Sequence, residues 1–107
     1  MSNDRELLEL AAKAIGCTIR GKADEEYYNL HEADDTHSLW NPLTDDGDAL
    51  RLAVELDLLI MPYPLDMAIR VTRLDQPETI EYYTGDQLAA TRRAIVRAAA
   101  EIGREMP

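Results

Sequence analysis

The chain has 107 residues, of which 46% are hydrophobic and 30% charged, and its formal net charge is -10. This length predicts one domain spanning residues 1–107, and the single cysteine excludes an internal disulfide. We find neither a signal-peptide pattern nor an apolar run near the roughly 20 residues that cross a bilayer, so the sequence predicts a cytoplasmic protein. The negative charge disfavours direct binding to nucleic acid or to an anionic membrane.

The first predicted element is an amphipathic helix over residues 4–15. Its apolar side chains recur at helical spacing and define one buried face. Asn3 or Asp4 can cap its start, and Gly16 ends it, because the left-handed conformation that follows many helices costs glycine least.

Residues 17–43 predict a mostly irregular segment with short strand-like pieces. Turn-forming and acidic residues interrupt these pieces, and a long irregular stretch inside a compact domain is often functional or mobile. Nine acidic residues fall between positions 24 and 48, with no lysine or arginine among them. We therefore expect one side of the molecule to be electronegative.

The remainder of the chain predicts two more helices, at residues 44–57 and 86–103, with strands between them. Residues 58–62 are a short apolar strand, and residues 66–74 and 79–84 form a hairpin around a turn. Because the connections are short, the predicted fold class is α+β, with a small, mostly antiparallel sheet of three to four strands and three helices packed on it.

The core is predicted from the apolar faces of these elements. Thr44 and Asp86 are the expected N-caps of the second and third helices, Leu88 begins the core face of the third helix, and Trp40 is expected to fill the core. The residues predicted to be buried together are Leu7, Leu8, Ala11, Leu52, Ala53, Leu56, Ile69, Val71, Ile95 and Ala99.

Two blocks of the sequence are distinctive. Residues 39–54 read Leu-Trp-Asn-Pro-Leu-Thr-Asp-Asp-Gly-Asp-Ala-Leu-Arg-Leu-Ala-Val, and residues 90–103 read Ala-Thr-Arg-Arg-Ala-Ile-Val-Arg-Ala-Ala-Ala-Glu-Ile-Gly. Together with the first helix, both blocks resemble a family of small bacteriophage and prophage proteins described as a phage α-β-α sandwich domain. The resemblance implies a phage or prophage origin, a bacterial host cytoplasm and helices on both sides of a sheet. It implies no activity, and residues 20–38 carry none of it.

Two groups of side chains are candidate metal ligands. Asp45, Asp46 and Asp48 offer oxygen ligands, but acids in the first turn of a helix also stabilise its dipole, and their spacing is not that of a calcium loop. His31 and His37 lie six positions apart among acids, whereas zinc sites use three or four ligands at tighter spacing. We therefore predict no metal and no cofactor, and we keep a small metal-assisted enzyme that uses clustered Asp and His as an alternative.

Two further features have a chemical and a structural interpretation. Cys17 is either a nucleophile with a histidine as base or, as we favour, a small buried residue after the first helix. Arg93, Arg97 and Arg104 fall on one face of the last helix and suggest contact with phosphates. We favour a solvated face that balances the acids of the chain itself, because the net charge opposes nucleic acid binding.

Since the resemblance implies a phage or prophage origin and the acids suit a basic partner, we expect a non-enzymatic phage or prophage accessory protein that acts by contact with a basic host or phage protein. The acidic segment, which we define as residues 24–48, is the expected contact surface. Functional loops concentrate in irregular regions, and charge steers association. The predicted partner-binding residues are Asp24, Glu25, Glu26, Glu32, Asp34 and Asp35. A further alternative is that the carboxylates mimic nucleic acid and inhibit a host DNA-binding protein.

Overall fold

The computed structural model describes residues 3–22 and 26–107. These residues form three α-helices, α1 (Asp4–Ala14), α2 (Asp46–Glu55) and α3 (Gln87–Glu105). The strands are β1 (Thr18–Lys22), β2 (Tyr28–His31), β3 (His37–Trp40), β4 (Leu59–Tyr63), β5 (Ala68–Thr72) and β6 (Thr79–Tyr82), with a short 3-10 helix (Pro64–Asp66) before β5. In this part of the chain, no helix combines the length and the apolar character that crossing a membrane requires.

The strands form two antiparallel sheets of three strands each. The N-terminal sheet has the order β1-β2-β3 and the C-terminal sheet has the order β4-β5-β6. The predicted α+β class is confirmed, but the prediction of one sheet with three to four strands is wrong. The sheet absent from the prediction is the N-terminal one. It is formed by residues 17–43, for which the sequence predicts a mostly irregular segment. Its strand β3, with the sequence His-Ser-Leu-Trp, has three exposed residues followed by a buried one, so it lacks the alternation that identifies a strand.

The predicted helix ends are close to those observed. The Asn3 side chain accepts a hydrogen bond from the backbone N–H of Glu6 and caps α1, and Gly16 follows that helix with φ of 77°, as predicted. The N-cap of α2 is Asp45 rather than Thr44. Thr44 belongs instead to the preceding turn, where its N–H donates to the carbonyl of Asn41.

The hydrophobic core confirms the predicted set of ten residues, which all belong to one buried cluster that also contains Trp40. Leu88 was wrongly predicted to be buried, since 62% of its surface is exposed. It lies in the first turn of α3, next to the exposed Gln87, and the buried face of this helix begins only at Ala90. Periodicity identified the correct face but not the point at which packing begins.

Helices α1 and α3 pack closely against each other because small residues line their contact. Ala11 and Ala12 of α1, and Ala94 and Ala99 of α3, are completely buried. At Gly103 of α3 the backbones approach so closely that a Cβ would overlap the carbonyl group of Leu10. The same helix α3 also packs on β5 and β6, and so joins α1 to the C-terminal sheet.

Candidate functional site

We define the acidic hairpin as residues 28–40, which comprise β2, β3 and the turn between them. Acidic residues build this turn: the N–H of Glu32 donates to the carbonyl of Thr36 and the N–H of Asp35 donates to the carbonyl of Glu32. Asp35 has φ of 71°, a left-handed conformation that Asp and Asn tolerate better than most residues. The acids therefore have a local structural role in addition to their charge.

Asp34 is the most strongly fixed carboxylate of the turn. Its Oδ1 accepts hydrogen bonds from the hydroxyl of Thr36 at 2.7 Å and from the N–H of the same residue at 3.1 Å. These two bonds lower the pKa of the Asp34 carboxyl, the hydroxyl bond contributing most. The side chain is thus ionised at neutral pH and holds the turn closed.

The structure brings three of the predicted partner-binding residues together on the hairpin turn, where Glu32, Asp34 and Asp35 are all exposed. Glu26 is exposed as well and lies just before β2. Asp24 and Glu25 lie outside the described residues. Within the described ranges, none of these four placed carboxylates forms an ion pair with an arginine or lysine.

The aspartates at the start of α2 are held by contacts within the chain. Asp45 Oδ1 accepts from the N–H of Asp48 at 2.9 Å, and its Oδ2 accepts from the hydroxyl of Tyr27 at 3.0 Å. These bonds lower the pKa of Asp45, the backbone bond contributing most, and the bond to Asp45 is the main reason that the pKa of Tyr27 is raised. Asp46 pairs with Arg92 at 2.7 Å. Asp45 therefore caps α2, whereas Asp46 forms an ion pair with another helix.

Asn41, which directly follows the acidic hairpin, connects Glu26 to α2, a role that no pattern in the sequence indicates. It is buried, its N–H donates to Asp48 Oδ2 at 2.9 Å, and its side-chain amide donates to the carbonyl of Glu26. The buried Asp48 also accepts from Arg51 at 2.7 Å. The bonds from Asn41 to Glu26 and to Asp48 span 15 and 7 positions of the chain, so no local sequence pattern indicates them.

The two histidines lie in neighbouring strands and not in a loop. His31 of β2 is paired in register with His37 of β3, and their rings stack with centroids 5.1 Å apart. The pKa of His31 is lowered mainly by partial burial, and the positive charges of Arg20 and His37 lower it further. Nowhere in residues 3–22 and 26–107 do three or more His, Cys, Asp and Glu side chains form a group that could hold a metal ion.

The arginines of α3 make ion pairs within the chain. Arg93 pairs with Asp4 at 3.1 Å, Arg97 pairs with Glu81, and Arg104 pairs with Glu101 at 3.4 Å. The favoured interpretation of this face, which balances acids of the chain itself, agrees with these contacts.

A pocket of about 390 Å³ opens between the N-terminal sheet and α2, and we call it the Trp40 pocket. Its apolar lining includes the buried residues Leu30, Trp40 and Leu52. Cys17 is half-buried in its wall, and burial raises the pKa of the thiol, with further contributions from the negative charges of Glu32 and Glu55. The pocket could not be predicted from the sequence, because its walls come from three separated segments of the chain.

Comparison of the chain with protein-family models, curated proteins and solved structures finds no match.

Proposed function

We propose that this protein is a phage or prophage accessory protein that binds a basic protein partner through the acidic hairpin and the adjoining Glu26. The observation that supports the proposal is the difference in charge pairing between two surfaces. The carboxylates of Glu26, Glu32, Asp34 and Asp35 lack an ion-pair partner within the described part of the chain, whereas the four arginines in α3 that lie between residues 92 and 104 each have one.

Unpaired carboxylates that share one surface raise the negative potential there and speed the approach of a cationic partner. Solubility does not require them to be collected at one turn, since the net charge of -10 already opposes self-association. One cation does lie nearby, because Arg20 of β1 is paired in register with Asn29 of β2. The negative surface is therefore bordered by a positive charge on β1. The two charges together orient a partner as well as attract it.

Affinity enrichment from a bacterial lysate, followed by mass spectrometry, tests this function. The variant Glu26→Lys/Glu32→Lys reverses two exposed charges and leaves Asp34 in place, because that carboxylate holds the turn. The matched control, Asp66→Lys/Glu105→Lys, makes the same change in net charge at exposed acids outside the hairpin. We expect a basic protein to be recovered with the parent and the control, and lost with the hairpin variant.

The recovered protein is then purified and its association rate measured as a function of salt. An interface steered by these carboxylates should associate more slowly as ionic strength rises, with a smaller change in dissociation rate. Equal binding by the parent and the hairpin variant would show that the interface lies elsewhere on the molecule.

A further inference from the structure

The Trp40 pocket combines an apolar interior with three carboxylates. Asp48 is held by Asn41 and Arg51, while Glu32 and Glu55 lie on different walls. The side chains of Ile15, Leu30, Leu39, Trp40 and Leu52 supply the apolar surface. Glu32 follows β2 on the sheet wall, and Glu55 ends α2 on the helical wall. Both are close enough to Cys17 for their charges to raise the pKa of its thiol, so both carboxylates face the same region of space.

Arg51, the one cation among the described residues of the lining, does not neutralise Glu32 and Glu55. Its guanidinium donates to Asp48 Oδ1 at 2.7 Å, and its terminal nitrogens lie 3.3 and 3.4 Å from where a Cβ of Gly47 would be. The side chain is therefore folded toward the start of α2, away from Glu55 at the end of that helix. Within the described ranges, neither Glu32 nor Glu55 forms an ion pair.

A metal ion suits this pocket less well than an organic cation. Among the described residues, no three His, Cys, Asp or Glu side chains are grouped closely enough to hold a metal ion, so Cys17, Glu32 and Glu55 do not converge on one point. An organic cation with an alkyl stem matches both parts of the lining, since arginine and lysine bury their methylene groups on apolar surface while the charged head group remains at the rim.

We propose that the Trp40 pocket binds an arginine side chain from the basic partner, with its stem on the apolar interior and its guanidinium between Glu32 and Glu55. Arginine fits better than lysine because its planar head group has five N–H donors and can bond carboxylates on two sides. The inference rests on the proposed function, and it extends the contact surface from the hairpin to the end of α2. Glu55 lies outside the acidic segment that the sequence singled out.

Nuclear magnetic resonance titration of the full chain with N-acetyl-arginine methylamide tests the pocket directly. We expect saturable shifts of the amide signals of Cys17, Glu32, Ser38, Leu52 and Glu55, which line it. The citrulline analogue has nearly the same shape without the charge, and it should bind at least about tenfold more weakly if charged hydrogen bonds hold the head group. Equal affinity for the two probes would overturn the proposal.

Substitutions distinguish binding in the pocket from general attraction by the negative charge of the protein. Glu55→Gln should raise the Kd of the arginine probe about two- to fivefold, the range measured for exposed ion pairs, and Glu32→Gln/Glu55→Gln should raise it further. The control Asp66→Asn removes one negative charge from the 3-10 helix, outside the pocket, and should leave the Kd nearly unchanged. An equal effect of Asp66→Asn and Glu55→Gln would show that only net charge matters, and would overturn the assignment to this pocket.

The pocket and the proposed function can fail separately. If the probe shifts only the hairpin signals of Asp34 and Asp35, the pocket assignment is wrong, while the hairpin remains a candidate surface for the protein partner. If Glu26→Lys/Glu32→Lys leaves partner binding intact while Glu55→Gln still weakens probe binding, the hairpin function is wrong and so is the partner as the source of the arginine, but the pocket remains a site for an arginine side chain.

Discussion

The layer formed by α1, α3 and β5 differs from the N-terminal sheet in how much of its side-chain surface is buried. In the layer, Leu8, Val71 and Ala99 are at most 1% exposed, and the two helices approach through small residues. In the strands of the N-terminal sheet, the described buried residues are Leu30 and Trp40, while three of the four residues of β3 are exposed. The contrast suggests that the layer supplies most of the stability and that the sheet presents surface for binding, since regions with few buried contacts open more easily.

The largest expected loss comes from Gly103→Ala in the layer. The added methyl group would lie 2.9 Å from the carbonyl carbon of Leu10 and still closer to its oxygen, and a backbone cannot rotate away as a side chain can. We expect a destabilisation at or above the upper end of the roughly 1–3 kcal/mol typical of overpacking, and therefore a chain that melts far below the parent or does not fold cooperatively. Thermal and urea unfolding followed by circular dichroism measure this loss.

Gly85→Ala is the matched control for this prediction. No atom lies within 4 Å of the position that its Cβ would take, so the free energy of unfolding should change by less than about 1 kcal/mol. A Gly103→Ala variant as stable as Gly85→Ala would show that α1 and α3 are less closely packed than described.

The second prediction compares one strand from each region. Ile69→Ala in β5 removes a side chain that is 2% exposed, and it should cost about 2–5 kcal/mol. Leu39→Ala in β3 removes one that is 51% exposed, and it should change the free energy of unfolding by no more than about 0.5 kcal/mol. Chemical denaturation measures both values, and similar costs would contradict the proposed division between a stabilising layer and a binding sheet.

The third prediction concerns the polar connection between the N-terminal sheet and α2, in which the N–H of Asn41 donates to Asp48. Asp48→Ala leaves the buried N–H of Asn41 without its acceptor, which should cost about 1–3 kcal/mol. Arg51→Ala removes the other partner of Asp48, but the Arg51 side chain is 74% exposed, so its loss should cost less than about 1 kcal/mol. If the two variants lose equal stability, the ion pair rather than the backbone bond is what holds Asp48.

The helices and the core could be predicted from sequence because each is encoded by a local pattern. Asn3 and Gly16 mark the ends of α1, and apolar spacing identified the face of α3 that contains Ile95 and Ala99. The N-terminal sheet could not be predicted in the same way. In β2 and β3, pairing partners determine the structure more than side-chain alternation does, and acids such as Asp34 indicate a turn without showing that strands flank it.

The candidate binding surface could be predicted from the sequence only where it depends on local charge. Glu32, Asp34 and Asp35 were identified as an acidic group and are exposed on one turn. The contribution of Glu55 depends on the approach of α2 to the N-terminal sheet, which no local pattern encodes. The same reason hid the role of Asn41, whose three hydrogen-bonding groups reach both the preceding loop and the following helix.

The smallest expected effect is a pH dependence at the junction of the acidic segment with α2. The pKa of Asp45 is lowered in the folded protein by the bonds from Asp48 N–H and Tyr27. A carboxyl whose folded pKa is depressed contributes stability that is present above its unfolded pKa, about 3.9, and is lost as pH falls through the folded value. Asp45→Asn keeps a side chain that can cap the helix but removes this titration. The parent should therefore be slightly more stable than the variant at neutral pH, and the difference should shrink as the pH falls below about 4.

The difference between the two proteins, rather than the parent curve alone, is the quantity to measure. Protonation of the other acids also reduces the net charge of -10, and this relieves repulsion while the Asp45 contribution is being lost. Urea unfolding of both proteins from pH 7 to about pH 2.5 covers the range in which a depressed carboxyl titrates. A difference that stays constant across this range would mean that Asp45 has the same pKa in the folded and unfolded chains, and that its hydrogen bonds do not favour the ionised form.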